Sequence, residues 1–136
     1  MFSHIMVPID LRIPPSVAKA MKVAAEQAKL HGAKISLVHV TMEQIKEGKT
    51  DGKAGAQLQD LTDKLAVETG CEVEAVPVHS VDTVAEINGI LSQTAAELGV
   101  DLVVMGTHMP SILDYVFSSH ASHLVLHSDA SVFVVR

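Results

Sequence analysis

Apolar runs alternate with helical patterns along this chain, with short connections between most of them. Phe2 to Ile9 is a near-continuous apolar stretch that stops at Asp10, the signature of a buried strand. Leu11 to Pro15 reads as a loop, and the Pro14-Pro15 pair sets the next helix to begin near Pro15 or Ser16. Val17, Met21, Ala24, Ala25 and Ala28 then recur at helical spacing as far as Gly32, a natural stop. Lys34 to Val40 is a second strand. Thr41 to Gly55 is polar, carries Gly48, Gly52 and Gly55, and is expected to be a mobile connection. A helix from about Ala56 to Glu68 turns Leu58, Leu61 and Leu65 inward and ends at Gly70. Glu72 to Val78 alternates as a strand nearer a sheet edge, where Pro77 is tolerated. Asp82 or Thr83 caps a helix that runs to Leu98 and stops at Gly99. The strand Asp101 to Met105, a loop, a helix from about Ser119 to His127 and a final strand at Val132 to Val135 complete the pattern.

The order βαβαβαβαβ, with no internal repeat and no linker, predicts one α/β domain over residues 1–136. Near-continuous apolar strands separated by helices imply a mainly parallel sheet covered on both faces, and right-handed crossovers favour an open, doubly wound, five-stranded sheet. Such a sheet binds ligands at its switch point, beyond the strand C-termini. With the first and fourth strands as neighbours there, Asp10 and Gly106 face one crevice. The last third points most directly to chemistry. Its buried strand ends at Gly106, a loop of small residues follows, and Ser118 and Ser119 open a helix whose N–H groups suit an anion.

Composition narrows the function. The 136 residues suffice for one substantial core, and a 48% hydrophobic content excludes a disordered chain. Aromatics at 3% leave that core to Val, Ile, Leu, Ala and Met. Ten basic against sixteen acidic residues give a net charge of -6 with no basic stripe, so nucleic acid is not an expected partner. The single Cys71 excludes an internal disulfide and a zinc–cysteine cluster, and suits a reducing cytosol. No secretory leader is read at the N-terminus and no segment is long enough to span a bilayer, so a soluble cytoplasmic protein is expected, with no membrane partner.

Five stretches together resemble the universal stress protein family. Val7-Pro8-Ile9-Asp10 resembles its opening signature, Val38-His39-Val40 its second strand, and Asp101 to His108 its fourth. Ser118-Ser119-His120-Ala121 and the tail His127-Ser128 to Arg136 are also similar. His108-Met109-Pro110 with Tyr115 further resembles a bacterial subgroup with a proline just after this loop. The resemblance spans the chain and implies a strand order of 3-2-1-4-5. It also implies a homodimer formed through the last strands, and a stress-response role read by a protein partner not identifiable from sequence. Some members bind ATP, with Mg as its companion ion, and others bind no nucleotide. Carried over, the resemblance implies a cofactor site of Pro8, Asp10, Val40, Met105, Gly106, Met109, Ser118, Ser119 and His120. Asp10 would hold the ribose and the backbone of Val40 the adenine edge, while Gly106, Ser118 and Ser119 would surround the phosphates.

The phosphate loop departs from the binders' pattern of Gly, two residues, Gly, nine residues, then Gly-Ser or Gly-Thr. Met109 replaces the second glycine, Pro110 offers no N–H, and Ser118 replaces the later glycine one residue early. No lysine or arginine lies between Gly106 and Arg136, leaving Arg12 to offset phosphate charge. Each residue also has a plain role open to it. Asp10 can brace its loop, Gly106 can be a tight strand exit, Ser118 and Ser119 can be helix caps, and His39 can be a packed core or interface histidine.

His120, His123 and His127 share one helix stripe, a spacing that can chelate zinc or nickel, with His108 near the helix start. Only Asp129 could complete such a set, so a solvated or interface stripe is the preferred reading and no metal site is assigned. The chain carries no HExxH, GxSxG, full Walker loop or CxxC, and no catalytic residues are assigned. At most, the resemblance implies slow ATP hydrolysis or self-phosphorylation. The leading expectation is an adenine-nucleotide switch; the alternatives are a nucleotide-independent dimeric interaction protein and a histidine-stripe metal binder.

Overall fold

Parallel pairing of short buried strands organises the molecule. The computed structural model describes residues 1–107, 123–125 and 127–136. Its elements are β1 (His4–Pro8), α1 (Pro15–His31), β2 (Lys34–Thr41), α2 (Lys53–Thr69), β3 (Val73–His79), α3 (Thr83–Leu98), β4 (Leu102–Gly106) and β5 (Ser131–Val135). Residues 123–125 and 127 are helical. The sheet order is β3-β2-β1-β4-β5, with every described strand pair parallel. β1 pairs with β2 from His4↔Lys34 to Pro8↔Val38, and with β4 through Ile5↔Leu102 and Met6↔Val103. The first and fourth strands are therefore neighbours, and the strand order reverses between them.

The two-residue period of the strands divides the core in two. Ile5, Val7, Ile35, Leu37, Leu102 and Val104 face one way and pack with Val17, Ala20 and Ala24 of α1 and Leu58 and Leu65 of α2. Met6, Val38, Val103 and Met105 face the other way and pack with Ile87, Leu91 and Ala95 of α3 and with Leu124. Alanines on α1 bring that helix close to the central strands, and aliphatic side chains fill the space that few aromatics could have filled. β3 and β5 form the edges. Pro77, which cannot donate to a ladder, sits on edge strand β3 opposite His39.

Helix ends follow local chemistry in most places. Pro15 opens α1, and Gly32, Gly70 and Gly99 close α1, α2 and α3 in the left-handed region, at φ 68°, 70° and 66°. Asp82 caps α3 by accepting from the Ala85 N–H at 3.0 Å. The start of α2 is different. It begins at Lys53, three residues earlier than the periodicity predicts, because Glu43 serves as a remote cap. The Glu43 carboxylate accepts from the Ala54 N–H at 3.1 Å, the Gly55 N–H at 3.3 Å and the Thr50 hydroxyl at 2.9 Å. The 41–55 connection, expected to be mobile, is thereby folded back onto the helix it precedes.

A polar row lies at the N-terminal end of the strands, beneath the α3 face. Buried His4 donates from Nδ1 to the Leu98 carbonyl at 3.0 Å, and its Nε2 lies 2.6 Å from the Ser36 hydroxyl. Ser36 Oγ is 2.5 Å from Glu74 Oε1, which Lys34 approaches at 3.7 Å. Asp101 accepts from the Ser3 and His4 N–H groups and from the Ser3 hydroxyl, tying the start of β1 to β4. None of this row reaches the opposite end of the sheet, where the crevice lies.

Candidate functional site

At the C-terminal end of the sheet β1 stops before β2 does, and the mismatch creates a crevice. The last backbone hydrogen bond between them is the Ile9 N–H donating to the Val38 carbonyl at 2.8 Å. Along β2 the residues facing β1 alternate with those facing β3: Val38 faces β1, whereas the Thr41 carbonyl accepts from Ser80 of the β3 side. By that alternation the N–H and C=O of Val40 face the side where β1 has already ended. They offer one donor and one acceptor to an occupant, the pairing that an adenine edge requires. The crevice has a volume of about 390 Å³, within the range of small-molecule pockets. Pro8, Asp10, Arg12, His39 and Val40 line it together with Gln57 of α2 and Thr83, Ile87 and Leu91 of α3.

Asp10 stands at the mouth, and its carboxylate is already engaged. Oδ1 accepts the Arg12 backbone N–H at 2.9 Å, an Asx-type turn that fixes the side chain. The Arg12 guanidinium donates to both oxygens at 3.3 Å. The Asp10 side chain is 10% exposed and that of Arg12 63%, so the pair is anchored at one end and loose at the other. Among the described residues Arg12 is the only Lys or Arg lining the crevice. His39 is not in the packed core. It is half-buried, lines the crevice and donates from Nδ1 to the Ile9 carbonyl at 2.9 Å, which leaves Nε2 as an acceptor in the neutral ring. Nearby, the Ala54 N–H and the Thr50 hydroxyl hold the Glu43 carboxyl below its usual range against the opposing effect of burial.

Of the residues expected at the site, Pro8, Asp10 and Val40 come together in this crevice. Met105 and Gly106 lie at the end of β4 and are not among its lining residues. Met105 is buried with Met6 and Leu91, facing α3. Gly106 has a packing reason to be glycine: an added Cβ would lie 2.7 Å from the Ser16 carbonyl carbon and 2.8 Å from Val17 N, in the first turn of α1. Met109, Ser118, Ser119 and His120, with His108, Pro110 and Tyr115, lie outside the described residues. The rings of His123 and His127 are 4.3 Å apart between centroids. No group of three His, Cys, Asp or Glu side chains suited to a metal occurs among the described residues. No described helix is long and apolar enough to cross a membrane. His39 is a lining residue that strand periodicity could not assign, because it reads as strand interior; Arg12, read in the sequence as a counter-charge to phosphate, sits in a turn against Asp10.

Comparison with known proteins matches the model of the universal stress protein family to residues 1–136. A stretch of 46 residues is 41% identical to universal stress protein G of Shigella flexneri and of Escherichia coli O157:H7. That stretch is 34% of this chain and 32% of those proteins, so the match spans about a third of the curated relatives' length. Among solved structures, the universal stress protein from Archaeoglobus fulgidus in complex with dAMP superposes with a TM-score of 0.71 at 20% identity, over 98% of both chains. A universal stress protein in complex with cAMP gives 0.71 at 19% identity, over 99% of this chain and 97% of the other. An Arabidopsis thaliana family member with AMP bound gives 0.63 at 16% identity, over 98% and 90%. At these identities the superpositions establish the fold, which is the doubly wound sheet described above. With a family match running the length of that sheet, the chain belongs to the universal stress protein family.

Proposed function

We propose that this protein is a stress-response switch that binds an adenine nucleotide in the crevice beyond β1 and β2 and presents the outcome on a homodimer surface. The observation that carries the reading is the free backbone pair of Val40 beside the Asp10 carboxylate, one suited to an adenine edge and the other to ribose hydroxyls. Family members with dAMP, cAMP and AMP bound support it. In this reading Pro8 shapes the floor, while Met105 and Gly106 set the end of β4 from which the chain continues to Met109, Ser118, Ser119 and His120 at the phosphates. ATP with Mg is one candidate ligand and a nucleoside monophosphate another. The single Cys71 fits a cytoplasmic setting.

Calorimetric titration of nucleotide-stripped protein with ATP and with AMP tests the reading. Micromolar binding that is lost in Asp10→Ala is the expected result; no heat and no thermal shift at millimolar nucleotide rejects it. A nucleotide-independent interaction protein is the second reading, favoured by the engagement of both Asp10 oxygens with Arg12 and by the packing role of Gly106. Partner capture that survives Asp10→Ala unchanged, in protein that binds no nucleotide, is the result it requires.

A further inference from the structure

We propose that Arg12 makes the crevice selective for adenine nucleotides carrying a phosphate monoester on the ribose 2′ or 3′ oxygen. This rests on the reading that Asp10 holds the ribose. A lone carboxylate at a ribose accepts from the 2′ and 3′ hydroxyls and repels a phosphate placed there; an arginine beside it reverses the second effect. Asp10 and Arg12 place both groups at one point. The Arg12 backbone N–H holds Oδ1 at 2.9 Å, so the carboxylate stays in place whatever the guanidinium does. Asp10 Oδ2 has the Arg12 Nη2 as its partner at 3.3 Å.

Reach decides the selectivity. A ribose hydroxyl bonded to Oδ2 at about 2.7 Å lies within about 6 Å of the guanidinium. A phosphate on the adjacent ribose oxygen is then one side-chain rotation away. The Arg12 side chain is 63% exposed, and an exposed ion pair contributes little, so turning the guanidinium from carboxylate to phosphate costs little. Its planar fork matches two phosphate oxygens, while Asp10 keeps the remaining hydroxyl. A 2′ or 3′ phosphate hangs directly from a ring carbon beside the Asp10 contact, whereas the 5′ phosphate stands one exocyclic carbon further out. A chain of net charge -6 also disfavours the four charges of a triphosphate over the one or two of a ribose phosphate.

Titration of the full chain with adenosine, 5′-AMP, 2′-AMP, 3′-AMP, cyclic 3′,5′-AMP and ATP tests this, on wild type, Arg12→Ala, Arg12→Lys and Asp10→Ala. The expected result is a preference of about tenfold for a 2′ or 3′ phosphate over 5′-AMP. Arg12→Ala should erase it, read as the ratio of the 5′-AMP and the 2′- or 3′-AMP dissociation constants, and Arg12→Lys should retain part of it as a point charge without the fork. The 2′ and 3′ monoesters, run separately, show which oxygen the pair reads, with cyclic 3′,5′-AMP as the reference that leaves one ribose hydroxyl to Asp10. Wild type preferring ATP or 5′-AMP, or Arg12→Ala weakening every ligand alike, overturns the proposal. If 5′ nucleotides bind and depend on Asp10 while Arg12→Ala changes nothing, only this inference falls. If no nucleotide binds wild type, the function proposed above falls with it.

Discussion

Gly106 and Arg12 show how a single residue carries more than its motif suggests. Gly106 is legible in the sequence as the end of an apolar strand, yet its reason lies in the backbone of Ser16 and Val17 pressed against it. That contact joins residues about ninety positions apart and leaves no mark in local spacing. Gly106→Ala should therefore destabilise the fold by about 1–3 kcal/mol, because backbone rather than a flexible side chain must yield. Urea denaturation reads this directly, and a change below a few tenths would contradict the close approach. Asp10 was legible as the residue ending an apolar strand. Its fork with Arg12 was not, since two residues in a turn meet through backbone geometry that hydropathy does not encode.

At the level of elements, what was legible depended on how local the signal is. The glycine stops of α1, α2 and α3 and the Asp82 cap were readable because each acts within a turn of its own helix. Asp82→Ala should cost about 1 kcal/mol, visible as a lowered denaturation midpoint with an unchanged slope. The start of α2 was not readable, because Glu43 stands ten residues before Lys53 with two glycines, Gly48 and Gly52, in the intervening connection. Glu43→Gln should weaken protection of the Ala54 and Gly55 amides in hydrogen exchange while leaving α1 and α3 untouched. Equal loss across all three helices would show that the carboxylate is not a cap. β1 is shorter than its apolar run because strand length is set by pairing, and its partners on β2 extend only from Lys34 to Val38.

For the molecule as a whole, pH and assembly give the measurable consequences. Burial pushes the His4 imidazole below its ordinary value of 6.5, assisted by Lys34, against the raising effects of the Leu98 carbonyl, Glu74 and Asp101. The unfolded chain therefore binds more protons than the folded one as pH falls past 6.5, and stability should be full above that pH and decline below it. Asp101 adds a second loss on the acid side of 3.8: burial pushes its carboxyl up, but hydrogen bonds from His4 and Ser3 outweigh that and hold it low. Denaturant midpoints should hold from pH 8 to about 6.5 and fall from there to pH 5, and His4→Gln should flatten that fall; a maximum near pH 5 would reverse the sign. At the β5 edge, Phe133 and Val134 are 45% and 41% exposed on a strand whose outer side is unpaired among the described residues. If a second copy covers them, as proposed, Val134→Lys should convert a dimer to a monomer by light scattering.

The polar row beneath α3 has a proton inventory that does not balance. Three contacts, Leu98 to His4, His4 to Ser36 and Ser36 to Glu74, each need a hydrogen. A neutral imidazole supplies one, to the Leu98 carbonyl, and the Ser36 hydroxyl supplies one more. Until solvent lends a third, the hydroxyl is a rotor that serves the central strand or the edge strand, and never both. Tightening β2 against β1 at this point loosens it from β3, so one bond to a serine oxygen couples the middle of the sheet to its rim.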